Sequence, residues 1–331
     1  MASPRVHGMF GRLAVPVIAA PMFLVSTPEL VIAACKAGVI GAIPAANARS
    51  PEEFAGWIER VADELEAFEE KTGRKAAPFA VNIPVHAPDE ASRMVLEANL
   101  ETCRRYRPGL IITVFGNPAP VVDVAREWGG RVVHDVTNIR HAQKAIAAGV
   151  DGLVLIASGG GGHSGTLNPF VFVSEVRRIF DGLVVLAGGM ADGAAVLAAE
   201  ALGADLCYMG TRFIATQESG AADDYKRMIV EAGSGDVIYT PAFSHGVPAM
   251  MLRASIARWG YDPDNLPAAG EQDVSSPAAK PWKDIWAAGQ SVALIDDVPP
   301  VETLVARIAD EYAQARDRLN MRMSAIGGAC A

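Results

Sequence analysis

Short apolar runs alternate with longer amphipathic stretches over most of the chain. The runs are five to seven residues long and rich in β-branched side chains, so they predict buried parallel strands. Eight runs are interpreted as strands, at residues 17–22, 40–44, 79–84, 109–115, 131–137, 152–157, 182–187 and 205–209. Eight strands with helices between them favour a closed (β/α)8 barrel, the TIM barrel, over an open doubly wound sheet.

Helix-capping side chains precede the amphipathic stretches, because such side chains accept hydrogen bonds from the first free backbone N–H groups of a helix. Helices are expected to begin at Thr27, Ser50, Asp89, Asn117, Asn138, Asn168 and Asp192. A last stretch, residues 301–323, places Leu304, Val305, Ile308 and Tyr312 at helical spacing. We expect this last helix to pack back on the barrel.

The alternation of strands and helices becomes irregular after Arg212. Residues 220–297 have a helical tendency, but glycine, serine and proline interrupt them, which predicts a small helical lid that contacts the substrate. We therefore divide the chain into a barrel at residues 1–219, this lid at residues 220–297, and a C-terminal helix at residues 298–331.

Charge and cysteine content narrow the class of protein. The net charge is −9 and the lysines and arginines form no basic run, so a nucleic-acid partner is not expected. The four cysteines lie far apart, without the spacing of a disulfide framework, which fits the reducing cytoplasm. The longest apolar run, residues 13–25, contains two prolines and follows no secretion signal, so we expect a soluble protein without a membrane span.

The most informative segment follows the sixth expected strand, where four consecutive glycines lead into His163 and Ser164. Each glycine adds to the entropy cost of folding, so such a run is a poor choice for a plain turn. A flat ring lying against the backbone would explain the missing side chains at Gly161 and Gly162, with His163 above that ring. The alternative interpretation is a flexible loop that carries an incidental histidine.

Two more glycine-bearing turns follow the last two expected strands. Gly188 and Gly189 come after the seventh strand, and Gly210 and Thr211 come after the eighth. In TIM barrels these two loops commonly bind phosphate through backbone N–H groups, and the Thr211 hydroxyl adds a donor. Ordinary βα turns also favour glycine, but glycines at two adjacent strand ends strengthen the prediction of a phosphate site.

Other strand ends supply further candidates. Met22, after Pro21, is placed to pack on a bound ring, although core filling is the commoner role of methionine. Asn82 is an amide within an apolar strand and needs hydrogen-bond partners, which the edge of a ring would provide.

The remaining histidines are considered for contact with the substrate. We expect His134, His245 and Ser164 to line the substrate site, with a buried structural role as the alternative for His134. The histidines and acidic residues lack metal-site spacing, so no metal is expected.

In this order the motifs resemble the nitronate monooxygenase family, formerly called 2-nitropropane dioxygenases. The resemblance rests on Ala20-Pro21-Met22, Val81-Asn82, Gly161-Gly162-His163-Ser164-Gly165, Ala187-Gly188-Gly189, Gly203-Ala204-Asp205, Met209-Gly210-Thr211-Arg212-Phe213 and Trp286-Ala287-Ala288-Gly289-Gln290. It implies that FMN is held by Pro21, Met22, Asn82, Gly161, Gly162, Gly188, Gly189, Gly210 and Thr211, with Gly289 and Gln290 beside the isoalloxazine. It also implies that His163 moves a proton to or from a substrate carbon. A departure is Asp135, which stands where some relatives have lysine.

The resemblance implies a cytoplasmic flavoprotein that oxidises alkyl nitronates or nitroalkanes with O2. Flavin-dependent enoyl reductases share the barrel and a similar Gly-Gly-His element. Reduction of an enoyl-CoA, an enoyl-ACP or a quinone by NAD(P)H is therefore an alternative. A third alternative is a barrel that binds flavin or a phosphate ligand without catalysis. The sequence leaves the oligomeric state open, a homodimer included.

Overall fold

The computed structural model describes residues 4–244, 246–266 and 282–327 of the protein. Its strands are β1 Val17–Ala19, β2 Ile40–Pro44, β3 Phe79–Pro84, β4 Leu110–Val114, β5 Val132–Val136, β6 Gly152–Ile156, β7 Gly162–His163, β8 Leu183–Ala187, β9 Leu206–Met209, β10 Val237–Thr240 and β11 Ala249–Leu252. Strands β1 to β6, β8 and β9 form a closed parallel barrel, with β1 paired to both β2 and β9. The eight predicted strands and the TIM barrel are thereby confirmed.

Most helices of the described residues cover the outer face of the barrel, but the first closes one end of it and two lie in the segment after it. They are α1 Pro4–Phe10, α2 Pro28–Ala37, α3 Pro51–Thr72, α4 Glu90–Tyr106, α5 Ala119–Arg126, α6 Ile139–Ala147, α7 Pro169–Arg177, α8 Gly193–Leu202, α9 Thr211–Ile214, α10 Asp223–Glu231, α11 Arg253–Arg258 and α12 Val301–Gly327. All seven expected capping side chains accept a backbone hydrogen bond, those of Thr27, Ser50, Asp89, Asn117, Asn138, Asn168 and Asp192. Each cap stabilises its helix by about 1 kcal/mol.

One end of the barrel is closed and the other is open. Alternate strand residues point inward, and Ile18, Ile112 and Val185 belong to one apolar cluster that fills the interior. Val6 and Phe10 of α1 join the same cluster, so α1 closes the amino-terminal end. The carboxyl ends of the strands and the loops that follow them are left to form a binding site.

The segment after α9 differs from the predicted helical lid. It contains α10 and α11, but it also contains β10 and β11, which pair antiparallel, and β11 pairs with β7 from the glycine-rich loop. The β-branched residues Val237, Ile238 and Thr240 favour extended backbone, which explains why β10 is a strand. The lid is therefore part sheet, and its sheet includes His163.

The last helix packs back on the barrel as predicted. Leu304, Val305 and Ile308 of α12 are buried, and they pack with the outer helices of the barrel. At Gly193, the first residue of α8, an added Cβ atom would lie 2.1 Å from the backbone nitrogen of Tyr312. Glycine at this position therefore permits the close contact between α8 and α12. No helix in the described ranges is long and apolar enough to cross a membrane.

Candidate active site

His163 lies at the carboxyl end of the barrel, on β7. Its backbone is paired with Ala249 of β11, which fixes the position of the residue. The imidazole is half-buried and meets two aromatic rings edge-on. The ring centroids are 6.4 Å apart for Phe115 and 5.0 Å apart for Trp282. We call Phe115 and Trp282 the aromatic wall.

Both residues of the aromatic wall have unusual backbone conformations. Phe115 has φ of 57° and Trp282 has φ of 68°, in the left-handed region that side chains other than glycine rarely adopt. Phe115 also leaves 54% of its surface exposed although it is large and apolar. Strain of this kind is found where function requires it. Sequence reasoning missed both residues, because nothing local marks a loop phenylalanine or tryptophan as a neighbour of His163.

The glycine-rich loop, residues 158–166, is pressed against residues 286–290. The Gln290 N–H donates to the carbonyl of Gly159 at 3.0 Å. A Cβ atom at Gly161 would lie 2.7 Å from the backbone nitrogen of Gly289, and one at Gly289 would lie 2.5 Å from the Gly159 oxygen. These glycines are therefore needed for close packing of two backbone segments, in addition to any contact with a ligand.

The loops after β8 and β9 place free backbone donors side by side. Within the described part of the chain, the N–H groups of Gly189, Gly210 and Thr211 have no hydrogen-bond acceptor. A Cβ atom at Gly189 would meet nothing within 4 Å. The Thr211 hydroxyl accepts the Gly289 N–H at 2.9 Å, which leaves its own proton to donate. We call these three residues the anion cradle, since they fit a phosphate.

Not every residue near the cradle is available to an anion. The N–H groups at the start of α8 are occupied, since Gly193 donates to Glu311 and Ala195 donates to Asp192. Gly188 has φ of 123°, and a Cβ atom there would lie 2.6 Å from the Ser158 oxygen, so packing requires glycine there whether or not its N–H also contacts an anion. The occupied N–H groups therefore exclude only the start of α8 from the predicted phosphate site.

Arg212 follows the cradle but does not face it. Its side chain is 3% exposed and donates to the backbone carbonyls of Ala215 and Asp297 and to the Asp297 carboxylate at 3.1 Å. Burial lowers the pKa of Arg212, and the neighbouring Asp297 opposes this effect. The arginine of the Gly-Thr-Arg-Phe motif thus holds α9 against the segment that leads into α12.

The loop after β1 is fixed by an asparagine that sequence reasoning missed. The Asn47 amide donates to the carbonyls of Met22 and Ser26 at 3.1 and 2.9 Å, and its oxygen accepts the Leu24 N–H at 2.9 Å. Met22 follows Pro21, and its sulfur would lie 3.5 Å from a Cβ atom at Gly210. Met22 therefore borders the cradle, and its contact with a cofactor stays a prediction.

Three polar side chains occupy inward positions at the carboxyl ends of the strands. Asn82 is buried on β3 and donates to the Ile112 carbonyl at 3.3 Å. Asp135 on β5 and Tyr208 on β9 each have a buried oxygen, the Asp135 Oδ1 atom and the Tyr208 hydroxyl, with no hydrogen-bond partner among the described residues. Unpaired buried polar groups are costly, so their presence here indicates a site where a ligand supplies the partners.

His134 lies on the other face of β5. Val133 belongs to the interior cluster whereas Val132 and Val136 pack outside it, so strand alternation directs His134 toward the helices. Its Nδ1 atom is 2.8 Å from the Thr113 hydroxyl. Burial, with a smaller effect of His141, lowers the pKa of His134 to about 4. The structure does not bring this residue together with His163.

Ser164 and His245 complete the predicted substrate residues. Ser164 is buried beside His163, its hydroxyl has no partner among the described residues, and its carbonyl accepts the Tyr239 hydroxyl at 2.8 Å. That bond ties the lid strand β10 to the glycine-rich loop. His245 lies outside the described residues.

Comparison with known proteins identifies the family of this barrel. The family model for nitronate monooxygenase matches residues 9–311. A nitronate monooxygenase of Paraburkholderia phytofirmans is 28% identical, over 92% of this chain and 94% of its own. A (3aS,4S,5R,7aS)-5-hydroxy-7a-methyl-1-oxo-octahydro-1H-indene-4-carboxyl-CoA dehydrogenase of Mycobacterium tuberculosis is 30% identical, over 73% of this chain and 64% of its own. A solved nitroalkane oxidase of Streptomyces ansochromogenes superposes with a TM-score of 0.75 at 27% identity, over 95% of this chain and 99% of its own.

Proposed function

The chain belongs to the nitronate monooxygenase family, and on that premise we propose that it oxidises alkyl nitronates or nitroalkanes with O2 and bound FMN. Membership makes the protein an enzyme, an oxidoreductase with a flavin cofactor and small-molecule substrates. The alternative of a barrel without catalysis is therefore set aside. The finer assignments, which are the substrate, O2 and the identity of the flavin, are our proposal.

One observation carries the proposal: residues 286–290 contact the loop of His163 and the anion cradle at the same time. Gln290 donates to Gly159 in the glycine-rich loop, and Gly289 donates to Thr211 in the cradle. A base and a phosphate site held by one segment suit a cofactor that spans the distance between them. Such preorganisation is what the protein contributes to cofactor chemistry.

We assign the FMN phosphate to Gly189, Gly210 and Thr211. The cradle offers backbone donors for one terminal phosphate, and no GxGxxG dinucleotide motif follows β1, so FMN fits better than FAD. Met22 and Asn82 then border the ring. When bound, the flavin supplies the electron acceptor for the substrate and the donor for O2.

His163 acts on the substrate carbon in this proposal. A ring nitrogen removes the α-proton of a neutral nitroalkane, because imidazole is the side-chain base best suited to neutral pH. A nitronate has already lost that proton, and His163 then serves to orient it. The aromatic wall limits access of water to the imidazole. Removal of a positioned base typically costs about 10²–10⁴-fold in rate.

The identity of the cofactor is tested by denaturing purified protein and identifying the released flavin by mass spectrometry. We expect FMN. Release of FAD would contradict the assignment of a single phosphate to the cradle.

The reaction is tested by anaerobic stopped-flow absorbance. The flavin-loaded protein is mixed in turn with a nitronate, a nitroalkane, NADH, NADPH and an enoyl-CoA. We expect the nitronate and the nitroalkane to bleach the flavin. Fast bleaching by NADH or NADPH alone, followed by reoxidation with enoyl-CoA, would instead support a reductase.

A second candidate is NAD(P)H-dependent reduction of a CoA thioester, and the comparisons favour its class of substrate but not the direction of the reaction. The Mycobacterium tuberculosis relative is named for a carboxyl-CoA substrate. Two lid arginines that could meet the phosphates of CoA are already paired, Arg253 with Asp264 at 2.5 Å and Arg258 with Asp224 at 3.0 Å. These ion pairs would have to open for CoA to bind there, so we rank this function second.

A further inference from the structure

Two polar groups in the barrel interior are not used by the proposed mechanism. Asp135 and Tyr208 each stand one residue before the end of their strands, β5 and β9, at inward positions, since Val133 and Leu206 two residues earlier belong to the interior cluster. The Asp135 Oδ1 atom and the Tyr208 hydroxyl are buried, and neither has a hydrogen-bond partner within the described ranges. Two such groups in one small interior are unusual in a folded protein.

The surroundings of Asp135 are apolar. The adjacent strands present Val114 from β4 and Ile156 from β6 at inward positions, and Asp135 pairs in register with Val154. The third inward polar residue, Asn82, donates to a carbonyl of β4. Burial accordingly raises the pKa of Asp135 to about 8.

Few titratable groups face this carboxyl group. Tyr208 faces it from β9, and burial together with the charge of Asp135 raises the pKa of that phenol well above its ordinary value. His163 lies at the mouth of the barrel. His134 is on the opposite face of β5, and His141 lies on α6 behind the strand. No lysine or arginine occupies an inward strand position among the described residues.

We propose that Asp135 contacts the pyrimidine edge of the bound flavin and takes up a proton when the flavin is reduced. The inference rests on the proposed function, because it requires a flavin above the barrel interior. The pyrimidine edge alternates carbonyl oxygens, nitrogen acceptors and an N–H group, so it can satisfy both a carboxyl group and a phenol. An apolar ligand would leave both groups unpaired.

The proton balance follows from charge. Two-electron reduction brings one proton to the flavin ring and leaves one negative charge on the ring. A carboxylate beside that charge in an apolar interior is disfavoured, so Asp135 binds one further proton from solvent. Below the pKa of Asp135 the carboxyl group already carries that proton, and only the ring takes one up. Above that pKa, reduction consumes two protons in place of one, so the midpoint potential of the flavin falls about twice as steeply with pH.

The test is spectroelectrochemical titration of the flavin-loaded enzyme between about pH 7 and pH 10, with a chemical reductant in place of substrate. In the wild type we expect the slope of midpoint potential against pH to double near pH 8. In Asp135→Asn, which has the shape of the protonated acid, we expect the shallow slope over the whole range. An unchanged bend in Asp135→Asn would overturn the proposal.

Two further variants identify the titrating group. Asp123→Asn removes an exposed carboxylate on α5 and should keep the bend. Tyr208→Phe should also keep it, because the acid is untouched. Loss of the bend in Tyr208→Phe but not in Asp135→Asn would assign the proton to the phenol and overturn the inference for Asp135. Protein that binds no flavin would contradict the proposed function itself, whereas bound flavin without a bend contradicts only this inference.

Discussion

The open carboxyl end of the barrel, which we call the barrel mouth, has two sides that differ in the size of their residues. On the side of β8 and β9, glycines allow backbone segments to touch, and at Gly188 there is no room for one added carbon atom. On the side of His163, large aromatic side chains stand in strained backbone conformations at Phe115 and Trp282. One side is defined by absent side chains and the other by bulky ones.

The two sides therefore differ in function: one suits a shared cofactor, and the other suits a particular substrate. Backbone N–H groups recognise a phosphate whatever side chains surround them, so the cradle side can serve any enzyme that uses the same cofactor. Side chains beside the base decide which substrate fits, so the aromatic wall can change with the substrate. A left-handed backbone at a bulky residue costs on the order of 1 kcal/mol, which is retained only if the placement is useful.

The largest effect is expected at His163, where the two sides meet. His163→Asn should lower the rate of flavin reduction by a neutral nitroalkane by about 10²–10⁴-fold. The loss with a preformed nitronate should be much smaller, because no proton remains to be removed. Both rates are measured by anaerobic stopped-flow on variant protein with its full flavin content. Equal rates for wild type and variant with every substrate would remove His163 from the mechanism.

The cradle side is tested by two glycines that differ in their surroundings. At Gly210 a Cβ atom would make only ordinary contacts, the nearest being 3.5 Å from the Met22 sulfur. Gly210→Asp should therefore keep the fold but weaken FMN binding roughly tenfold or more, because its carboxylate would repel the phosphate. Flavin titration of the apoprotein measures this loss.

Gly188→Ala is the matched variant, since its added carbon would clash with the Ser158 carbonyl at 2.6 Å. We expect a loss of about 2–3 kcal/mol in the free energy of unfolding, measured by urea denaturation of the apoprotein. If the two variants behaved alike in both assays, the separation of packing glycines from cradle glycines would be wrong.

The aromatic wall is tested with a chain-length series. Phe115→Ala should lower kcat/KM by about tenfold for long-chain nitroalkanes and change it little for nitroethane, because a short substrate does not reach the ring. The control is Phe170→Ala, which removes a phenylalanine of similar exposure, 64%, from the outer helix α7. A uniform loss over all chain lengths would indicate that Phe115 supports His163 and does not select the substrate.

The glycines of the cradle side carry a signal in the sequence, and the residues of the aromatic side carry none. Glycines after β8 and β9 stand out against the strand pattern, so Gly189 and Gly210 could be found without coordinates. Which glycines are needed for packing could not be found in this way. At Gly161, for example, the neighbour that excludes a side chain is Gly289, which is far away in the sequence. Phe115 lacked a local signal because positive φ at a bulky residue is imposed by the surrounding fold.

The inward and outward faces of β5 show a similar limit. The sequence places His134 and Asp135 together at a strand end, and it favoured the histidine as the residue in contact with substrate. Strand alternation directs only one of two neighbours into the barrel, and the interior cluster shows that it is Asp135. His134 and Asp135 could be distinguished only once it was known which positions of β5 point into the barrel.

The smallest effect is expected at His134, which tests whether the outer face is separate from both sides of the mouth. Its pKa in the folded protein is about 4, below the ordinary value of 6.5, because burial disfavours the charged ring. The unfolded chain therefore binds a proton between these two pH values while the folded protein does not, so stability falls as pH drops through this window. His134→Gln cannot bind that proton. The free energy of unfolding, measured with urea at pH 7.5 and pH 5, should therefore fall less on acidification than in the wild type, by on the order of 1 kcal/mol.

Activity of His134→Gln at neutral pH should be unchanged, since the His134 ring contacts Thr113 and not the mouth of the barrel. A loss of activity comparable to that of His163→Asn would instead mean that His134 reaches the substrate, and the division of the barrel into an inner reactive face and an outer structural face would fail at β5.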